Sequence, residues 1–270
     1  MSMGWARTQR PRRRIGDDME CTVVLLLRNE KDNVEPLVTS ILDVYARNGI
    51  EGEVLLVDDG SSDGSSALCD RLSERNRSVR VVHHQTNLGR SFAIRTGFRE
   101  ALGDVVIIMD GDRQYEPGEI PMFLSKMREG YDVVSGWRYQ RTDPFIRKFI
   151  SRTYNRFIIQ RKYGLTIKDQ NSGFKAFRKE KAANMGFDPE GYRGLHRFIL
   201  PLAALNGMTI CEIPIVHYAR PSGKSYIKFY TVPFITLRDY FKFNREHAQQ
   251  IKALRKSRGT GDTNSTAGST

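Results

Sequence analysis

The sequence predicts an α/β fold in which a mostly parallel, doubly wound sheet carries helices on both faces. Short apolar runs containing β-branched residues recur through the first 110 residues, and segments with helical periodicity separate them. Polar residues follow the ends of these runs. Short strands joined by helical crossovers pair in parallel, so this alternation favours a parallel sheet over an antiparallel one.

The elements follow one another in a regular order. The first strand is predicted at residues 21–27, a continuous apolar run typical of a strand buried on both faces. Helices are expected where apolar residues recur at three- and four-residue spacing, with Gly49 and Gly103 as stop signals. The remaining predicted elements are strands at 54–57, 79–82 and 104–109 and helices at 33–47, 63–75 and 91–102.

Polar segments follow three of the predicted strands. They read Arg28-Asn29-Glu30, Asp58-Asp59-Gly60-Ser61 and Asp110-Gly111-Asp112. In doubly wound sheets, ligands bind outside the carboxyl ends of the strands. We therefore expect these segments to share one binding edge.

Composition excludes several classes of protein. The 270 residues suit one large domain, and 39% hydrophobic content supplies a core. No apolar run approaches the roughly 18 residues of a membrane span, and no signal peptide is predicted. Three cysteines without CxxC spacing indicate reduced thiols and a cytoplasmic location. Neither a Gly-x-Gly-x-x-Gly fingerprint nor a P-loop is present, which argues against dinucleotide dehydrogenases and P-loop phosphotransferases.

The segment after the fourth predicted strand is typical of a divalent metal site. Asp110 and Asp112 lie two residues apart, so in extended backbone they point to the same side, and Gln114 adds a carboxamide oxygen. Such oxygens suit Mg²⁺ or Mn²⁺, which takes further ligands from substrate phosphates. The alternative for this segment alone is a solvated acidic turn.

The ordered set of motifs resembles family 2 glycosyltransferases with the GT-A fold. The first motifs are Asn29-Glu30, residues 57–64 (VDDGSSDG), Asn87-Leu88-Gly89 and residues 110–114 (DGDRQ). The later ones resemble the polyprenyl-phosphate or dolichyl-phosphate sugar synthases of that family. They are residues 135–139 (SGWRY), Arg147 with Ser151, residues 169–175 (DQNSGFK) and residues 220–225 (RPSGKS).

The resemblance implies a donor of the GDP-mannose or UDP-glucose type, bound with Mg²⁺ or Mn²⁺. Metal contacts would come from Asp110, Asp112 and Gln114, directly or through water. Arg28 stands where relatives often carry an aromatic residue, so the base stays open between guanine and uracil. The implied nucleotide-sugar contacts are Leu27, Arg28, Glu30, Asp59, Asp110 and Asp112. For Asp59, a turn-forming role is an equal alternative.

The resemblance also implies a polyprenyl or dolichyl phosphate acceptor and transfer of a hexose with inversion. The acceptor oxygen is already an anion, so the reaction needs positioning and charge cover rather than a strong base. Guanidinium groups suit phosphate geometry. The implied phosphate contacts are Arg138, Arg147, Ser151, Arg220 and Lys224, and the catalytic residues are Asp112, Arg138 and Arg147.

A lipid acceptor requires contact with a membrane surface. Residues 145–163 combine phenylalanine and isoleucine at helical spacing with interleaved basic residues, and residues 226–243 show a similar pattern. A basic amphipathic helix can lie in the headgroup region. We therefore expect a peripheral protein at the cytoplasmic face, or one that uses a membrane-anchoring subunit. Packing of these helices on the domain's own core is the alternative.

The expected organisation is a basic disordered arm at 1–18, a GT-A domain at 19–225, an amphipathic helical segment at 226–255 and a disordered tail at 256–270. The formal net charge of +12 indicates an anionic partner. Two other functions remain alternatives. A family 2 enzyme with a saccharide or protein acceptor would need a base such as Asp112 or Asp169. A nucleic-acid-binding module would leave the metal segment unexplained, so no nucleic-acid partner is expected. His196 stays ambiguous between a structural role and approach to the donor sugar.

Overall fold

The computed structural model describes residues 19–139, 161–221 and 232–259. Within these residues a single sheet has seven strands in the order β3-β2-β1-β4-β6-β5-β7. The strands are β1 (Cys21–Leu27), β2 (Gly52–Asp58), β3 (Val79–His83), β4 (Val105–Asp110), β5 (Val133–Arg138), β6 (Lys175–Arg178) and β7 (Ile210–Ile215). The predicted mostly parallel α/β sheet is confirmed.

Helices connect the strands and cover both faces of the sheet. The α-helices are α1 (Lys31–Asn48), α2 (Ser65–Arg75), α3 (Arg90–Glu100), α4 (Ile120–Arg128), α5 (Arg161–Tyr163), α6 (Lys179–Asn184), α7 (Ile199–Leu205), α8 (Val232–Glu246) and α9 (Ala248–Gly259). Short 3₁₀ helices lie at Pro117–Glu119 and Leu195–Phe198. The predicted stop at Gly49 is confirmed, because this residue ends α1 in the left-handed conformation, at φ 62°.

One strand departs from the parallel pattern and so determines which loops meet. β6 pairs antiparallel with both β4 and β5. Its amino-terminal end therefore lies at the same edge as the carboxyl ends of its two neighbours. The loop of residues 169–174 is thereby placed beside the polar segments that follow β4 and β5.

The core forms two buried clusters. One contains alternate residues of β1, β2 and β4 packed with α1, α2 and α4, and the other packs α3, α7 and the carboxyl-terminal helices. Phe243 of α8 is fully buried and stacks on Phe198, with ring centroids 5.1 Å apart. Part of the segment expected to be amphipathic therefore belongs to the domain core.

The four predicted strands and the three predicted helices are present, with ends displaced by up to a few residues. Three further strands had no prediction. Pro233 lies in the first turn of α8, where a proline is tolerated because the first N–H groups have no intrahelical partner. The pattern at residues 145–163 lies mostly outside the described residues.

Candidate active site

Hydrogen bonds join the first two polar loops at the carboxyl edge of the sheet. The Asn29 backbone N–H donates to Ser61 Oγ (2.9 Å), and the Asn29 side-chain oxygen accepts from the backbone N–H of Ser62 (2.8 Å). The backbone N–H of Glu30 donates to Ser65 Oγ (2.9 Å). These bonds hold the loop after β1 against the loop after β2, as the parallel sheet predicted.

The loop after β4 holds the two carboxylates of the expected metal segment. Asp110 is the last residue of β4, and Asp112 accepts from the backbone N–H of Gln114 (3.2 Å). Arg113, which lies between Asp112 and Gln114, has φ 59°, and Asn29 in the first loop has φ 54°. Non-glycine residues seldom adopt this left-handed conformation, which costs energy and concentrates at functional sites. Both examples among the described residues lie at this edge.

The surroundings of Asp112 disfavour its negative charge. Burial, together with the negative charge of Asp110, raises the pKa of Asp112 to about 6, against the opposing charge of Arg220. Two carboxylates in this relation favour a bound cation, since a cation stabilises both ionised forms. Within the described residues, no group of three acidic, histidine or cysteine side chains could hold a metal. Such an ion would therefore need oxygens from a ligand.

Hydrogen bonds to Tyr218 hold Gln114, the third residue expected at the metal. Its Nε2 donates to the carbonyl of Tyr218 (3.0 Å), and the backbone N–H of Tyr218 donates to the Gln114 carbonyl (2.9 Å). Because the amide nitrogen is held by Tyr218, the carboxamide oxygen is the atom of Gln114 that could bind a cation. The donor set of Asp110, Asp112 and Gln114 therefore fits a hard divalent cation that keeps water and phosphate ligands.

Arg90, the first residue of α3, forms an ion pair with Asp110. Gly173 closes the same point from the loop before β6. A Cβ on Gly173 would lie 2.0 Å from Asp110 Oδ2 and 3.0 Å from the Arg90 guanidinium, so only glycine fits here. Asp110 is thus held by α3 on one side and by residues 169–174 on the other.

Two residues expected in different halves of the site are paired. Arg220, expected at the acceptor phosphate, forms an ion pair with Glu30, expected at the nucleotide. Glu30 also accepts from the Asn33 amide (2.7 Å). Because the charge of Arg220 also favours ionised Asp112, these groups form one network. The two expected halves of the site adjoin at this pair.

Arg138, at the end of β5, is held by a buried carboxylate. Its Nε and Nη2 donate to the two oxygens of Asp169 at 2.6 and 2.9 Å. Asp169 is only 2% exposed, and its side chain is compensated by this bidentate pair. Asp169 therefore positions Arg138 at the sheet edge. Two of the five guanidinium N–H groups are used in this way.

The structure places Leu27 and Asp59 in structural contacts. The Leu27 side chain is buried against Gly111, where an added Cβ would approach Leu27 Cδ2 to 2.3 Å. Asp59 accepts from the backbone N–H groups of Leu88 and Gly89, both at 2.8 Å, and pairs with His84 Nδ1. These bonds organise the loop before α3. A direct nucleotide contact of Leu27, Arg28 or Asp59 stays a prediction.

Two buried ionisable residues lie near the pair of Arg90 and Asp110: Lys175, for which no role was predicted, and His196, for which two roles were left open. Lys175 is buried, and burial lowers its pKa to about 7. His196 lies beside Ser91, and burial together with the charges of Arg197, Arg90 and Lys175 holds its pKa well below the usual value. The apolar context of Lys175 in the sequence was a signal that could have identified it as buried.

Helix α8, in the carboxyl-terminal part of the chain, holds the segment that carries His196. The buried carboxylate of Asp239 in α8 accepts from the backbone N–H groups of Arg193 and Gly194, at 3.1 and 2.7 Å. Gly194 immediately precedes the 3₁₀ helix that carries His196.

Arg147, Ser151 and Lys224 lie outside the described residues, so their expected phosphate contacts stay predictions.

A second polar cluster lies at the outer side of β2. His83 bridges Asp58 and Asp70, with Nδ1 2.9 Å from the first and Nε2 3.1 Å from the second. Although burial opposes ionisation, hydrogen bonds from His83, Ser61 and Ser66 hold the pKa of Asp58 at about 2. The bond to Asp58 raises the pKa of His83. The bonds to Ser61 and Ser66 tie the loop after β2 to α2.

A family model described as glycosyl transferase family 2 matches residues 22–186, which is more than half of the chain. Among curated proteins, the chain is 34% identical over 216 residues to undecaprenyl-phosphate 4-deoxy-4-formamido-L-arabinose transferase from Pectobacterium carotovorum subsp. carotovorum (strain PC1). The match covers 80% of this chain and 64% of that protein, so the chain spans just under two thirds of its length.

Solved structures share the fold at lower sequence identity. Glucosyl-3-phosphoglycerate synthase from Mycobacterium tuberculosis, crystallised with Mn²⁺, UDP and glucosyl-3-phosphoglycerate, has a TM-score of 0.58 and 19% identity, covering 80% of this chain and 79% of that one. Mannosyl-3-phosphoglycerate synthase from Rubrobacter xylanophilus has a TM-score of 0.62 and 16% identity, covering 86% and 75%. The predicted GT-A fold is confirmed. In the parts of the chain that the structure describes, no helix combines the length and apolar content of a bilayer span.

Proposed function

The chain belongs to glycosyl transferase family 2, and from that premise we propose that it transfers a hexose from a nucleotide-diphosphate sugar to a polyprenyl phosphate. The observation that carries the proposal is the network of Asp110, Asp112, Glu30 and Arg220 at the carboxyl edge of the sheet. It combines carboxylates suited to a cation with arginine suited to phosphate. The similarity to an undecaprenyl-phosphate sugar transferase supports this choice of acceptor.

The donor diphosphate would lie over Asp110 and Asp112. A divalent cation held by Asp110, Asp112 and Gln114 would offset the negative charge that grows on the leaving diphosphate. A bound cation would favour ionised Asp112, against the burial and the charge of Asp110 that raise its pKa to about 6. Arg90 pairs with Asp110 from the opposite side and orients its carboxylate.

The acceptor phosphate would approach from the side of Arg138 and Arg220. Asp169 holds the Arg138 guanidinium by Nε and Nη2 and so positions its charge at the edge of the sheet, where guanidinium suits a phosphate. Arg220 can exchange between the Glu30 carboxylate and a phosphate, since the planar guanidinium fork can bind two oxygens of either group. Arg147, Ser151 and Lys224 would complete this side.

The reaction is a single displacement. A phosphate oxygen of the acceptor forms a bond to the anomeric carbon, the bond from that carbon to the diphosphate oxygen breaks, and the nucleoside diphosphate leaves with the electron pair. One displacement inverts the anomeric configuration. The nucleophile is already ionised, so the residues at the site need not remove a proton from it.

The lipid acceptor places the site beside a membrane. Along α8, Phe234, Leu237 and Phe241 are 77%, 54% and 64% exposed, and they share one side of the helix at three- and four-residue spacing. Large apolar side chains exposed in this way mark an interaction surface. We propose that this stripe rests on the bilayer at the cytoplasmic face. Basic side chains in α8 and α9 favour anionic lipid.

A donor-release assay tests the proposal. Purified protein is incubated with UDP-glucose or GDP-mannose and MnCl₂, with and without farnesyl phosphate, a short acceptor that needs no membrane. We expect release of nucleoside diphosphate that depends on the acceptor and is lost with excess chelator. Release stimulated only by a saccharide or a peptide would instead assign a different acceptor to this family 2 enzyme.

A further inference from the structure

A small cavity lies beside the ion pair of Arg90 and Asp110. It has a volume of about 30 Å³ and is lined by Arg90, Gly173, Lys175 and His196, with apolar residues of α3 and β4 beneath them. Arg90 also pairs with Asp110, and Gly173 lies against the same carboxylate. The cavity therefore adjoins the segment proposed to hold the donor diphosphate. Its volume suits one or two water-sized groups, such as a substituent of a sugar ring.

The hydrogen bonds of Ser91 determine which nitrogen of His196 carries the proton. Ser91 Oγ accepts from the backbone N–H of His196 (3.1 Å) and lies 3.0 Å from Nδ1. A hydroxyl that already accepts a hydrogen bond is polarised into a better donor, which favours donation of the Ser91 O–H to Nδ1. Nδ1 is then an acceptor and carries no proton.

The charge state of His196 decides whether Nε2 carries its only ring proton. Burial, aided by the positive charges of Arg197, Arg90 and Lys175, holds the pKa of His196 well below its usual value. The imidazole is therefore neutral near pH 7, and a neutral ring with an accepting Nδ1 carries its hydrogen on Nε2. His196 thus offers one N–H donor on the side of the ring away from Ser91.

The cavity lining is rich in hydrogen-bond donors. Arg90 has only N–H donors, and the Lys175 ammonium, which donates to the carbonyl of Ser172, has further donors. Together with Nε2–H of His196, these groups favour an oxygen that accepts. Gln170, which also lines the cavity, has a buried Oε1 without a hydrogen-bond partner among the described residues, and this acceptor favours a hydroxyl over a carboxylate. An apolar group of the same size would leave buried donors without partners, which is costly.

We propose that His196 is a specificity-determining residue that donates from Nε2 to an oxygen substituent of the donor sugar in the cavity beside Arg90 and Lys175. Ser91 acts as its positioning residue by fixing the tautomer. This inference rests on the proposed function, because it assumes a nucleotide sugar at Asp110 and Asp112. It adds the residue that distinguishes the sugar from a bare nucleotide.

Two substitutions of His196 separate this role from a structural one. In His196→Gln, the amide nitrogen lies near the position of Nε2 and keeps a donor toward the cavity. In His196→Asn, the shorter amide keeps polar atoms near Nδ1 and Ser91 but lacks the donor toward the cavity. A purely structural role through Ser91 would be rescued by asparagine, whereas a sugar contact would be rescued by glutamine.

The measurement is isothermal titration calorimetry with MnCl₂, comparing UDP with UDP-glucose and GDP with GDP-mannose. We expect the nucleotide sugar that binds to bind more tightly than its free nucleotide. His196→Asn should bind the nucleotide sugar about ten-fold more weakly, a change of the size of one hydrogen bond. Its affinity for the free nucleotide should stay unchanged. His196→Gln should retain most of the gain.

Three outcomes overturn the assignment alone, and a fourth overturns the proposed function with it. Asparagine and glutamine variants with equal sugar-dependent gains would exclude a donor role for Nε2. An equal loss for the free nucleotide would make His196 a structural residue. A nitrogen-detected NMR spectrum of histidine-labelled protein that showed the Nδ1–H tautomer at His196 would remove the premise. If neither nucleotide sugar binds the unsubstituted protein, the proposed function itself fails, and the assignment fails with it.

Discussion

Arg90 of α3 and Asp110 of β4 form an ion pair at the carboxyl edge of the sheet. The pair joins the amino terminus of a helix to the end of the neighbouring strand, and Gly173 leaves no room for an additional side-chain atom between them. Asp110 is therefore compensated by a residue of the chain itself. Asp112, whose pKa is raised to about 6, is the carboxylate whose ionisation a bound cation would favour most.

The first prediction concerns this difference between the two carboxylates. Asp112→Asn should lower the rate of sugar transfer by about 10²-fold, because one charge that would hold the cation at the leaving diphosphate is removed. Mn²⁺ binding, followed by electron paramagnetic resonance, should weaken in parallel. The matched control is Asp104→Asn, an exposed aspartate just before the other end of β4. Unchanged Mn²⁺ binding in Asp112→Asn would contradict the metal assignment.

The second prediction concerns the pair of Arg138 and Asp169. Arg138→Ala should raise the KM for farnesyl phosphate and leave nucleotide affinity nearly unchanged. It should also destabilise the fold by about 3–5 kcal/mol, because Asp169 would be buried without its partner. The double variant Arg138→Gln/Asp169→Asn should recover stability in urea unfolding without recovering acceptor use. If the KM for farnesyl phosphate rises in Arg138→Ala and returns to the unsubstituted value in the stable double variant, the pair has a purely structural role. Arg147→Ala should show the same KM effect.

The third prediction concerns the exposed stripe of α8. Replacement of Phe234, Leu237 and Phe241 by serine should reduce co-sedimentation with anionic vesicles, because the apolar contact with the headgroup layer is lost. Added salt should weaken the binding of the unsubstituted protein, since exposed charges are screened. Turnover of farnesyl phosphate should stay unchanged, because that acceptor needs no membrane. Met122→Ser, at an exposed methionine of α4, serves as the control. Equal recovery of all variants would exclude α8 as the docking surface.

The fourth prediction is a pH dependence of stability from His83 and Asp58. The folded-state pKa of His83 is raised, so its contribution to stability is complete below its unfolded value and is lost as the pH rises through the folded value. The pKa of Asp58 is lowered to about 2, so its contribution is present above its unfolded value and is lost as the pH falls. The stability difference between the unsubstituted protein and His83→Gln should therefore be largest near pH 5 and shrink toward pH 9. Urea unfolding at several pH values measures it. A difference independent of pH would show that the bridge carries no charge.

Local pattern was sufficient for the first half of the fold. Apolar runs and helical spacing predicted β1 to β4 with their helices, and the parallel arrangement predicted that Glu30, Asp58 and Asp110 would lie at one edge. These features depend on residues close in sequence. The Asp110 and Asp112 segment was likewise recognisable from residue types alone.

The rest of the site depends on contacts between distant parts of the chain. The antiparallel pairing of β6 decides that Gly173 and Lys175 approach Asp110, and short apolar runs do not predict strand direction. His196 and Ser91 are 105 residues apart, and Glu30 and Arg220 are 190 apart. No local pattern specifies such pairs. The Lys168 ammonium lies over the Trp137 ring, 3.8 Å from its centroid, and this contact likewise joins residues that are distant in sequence.

The central claim is sugar transfer to a polyprenyl phosphate, and product extraction tests it most directly. The protein is incubated with UDP-[¹⁴C]glucose or GDP-[¹⁴C]mannose, MnCl₂ and undecaprenyl or dolichyl phosphate in mixed micelles, and the organic phase is counted. We predict a radioactive lipid whose formation requires the phosphate head and fails with the corresponding polyprenol. NMR of the product should show an anomeric configuration opposite to that of the donor. Label that stays in the aqueous phase with every donor and lipid, while it enters a saccharide or protein product, would contradict the account.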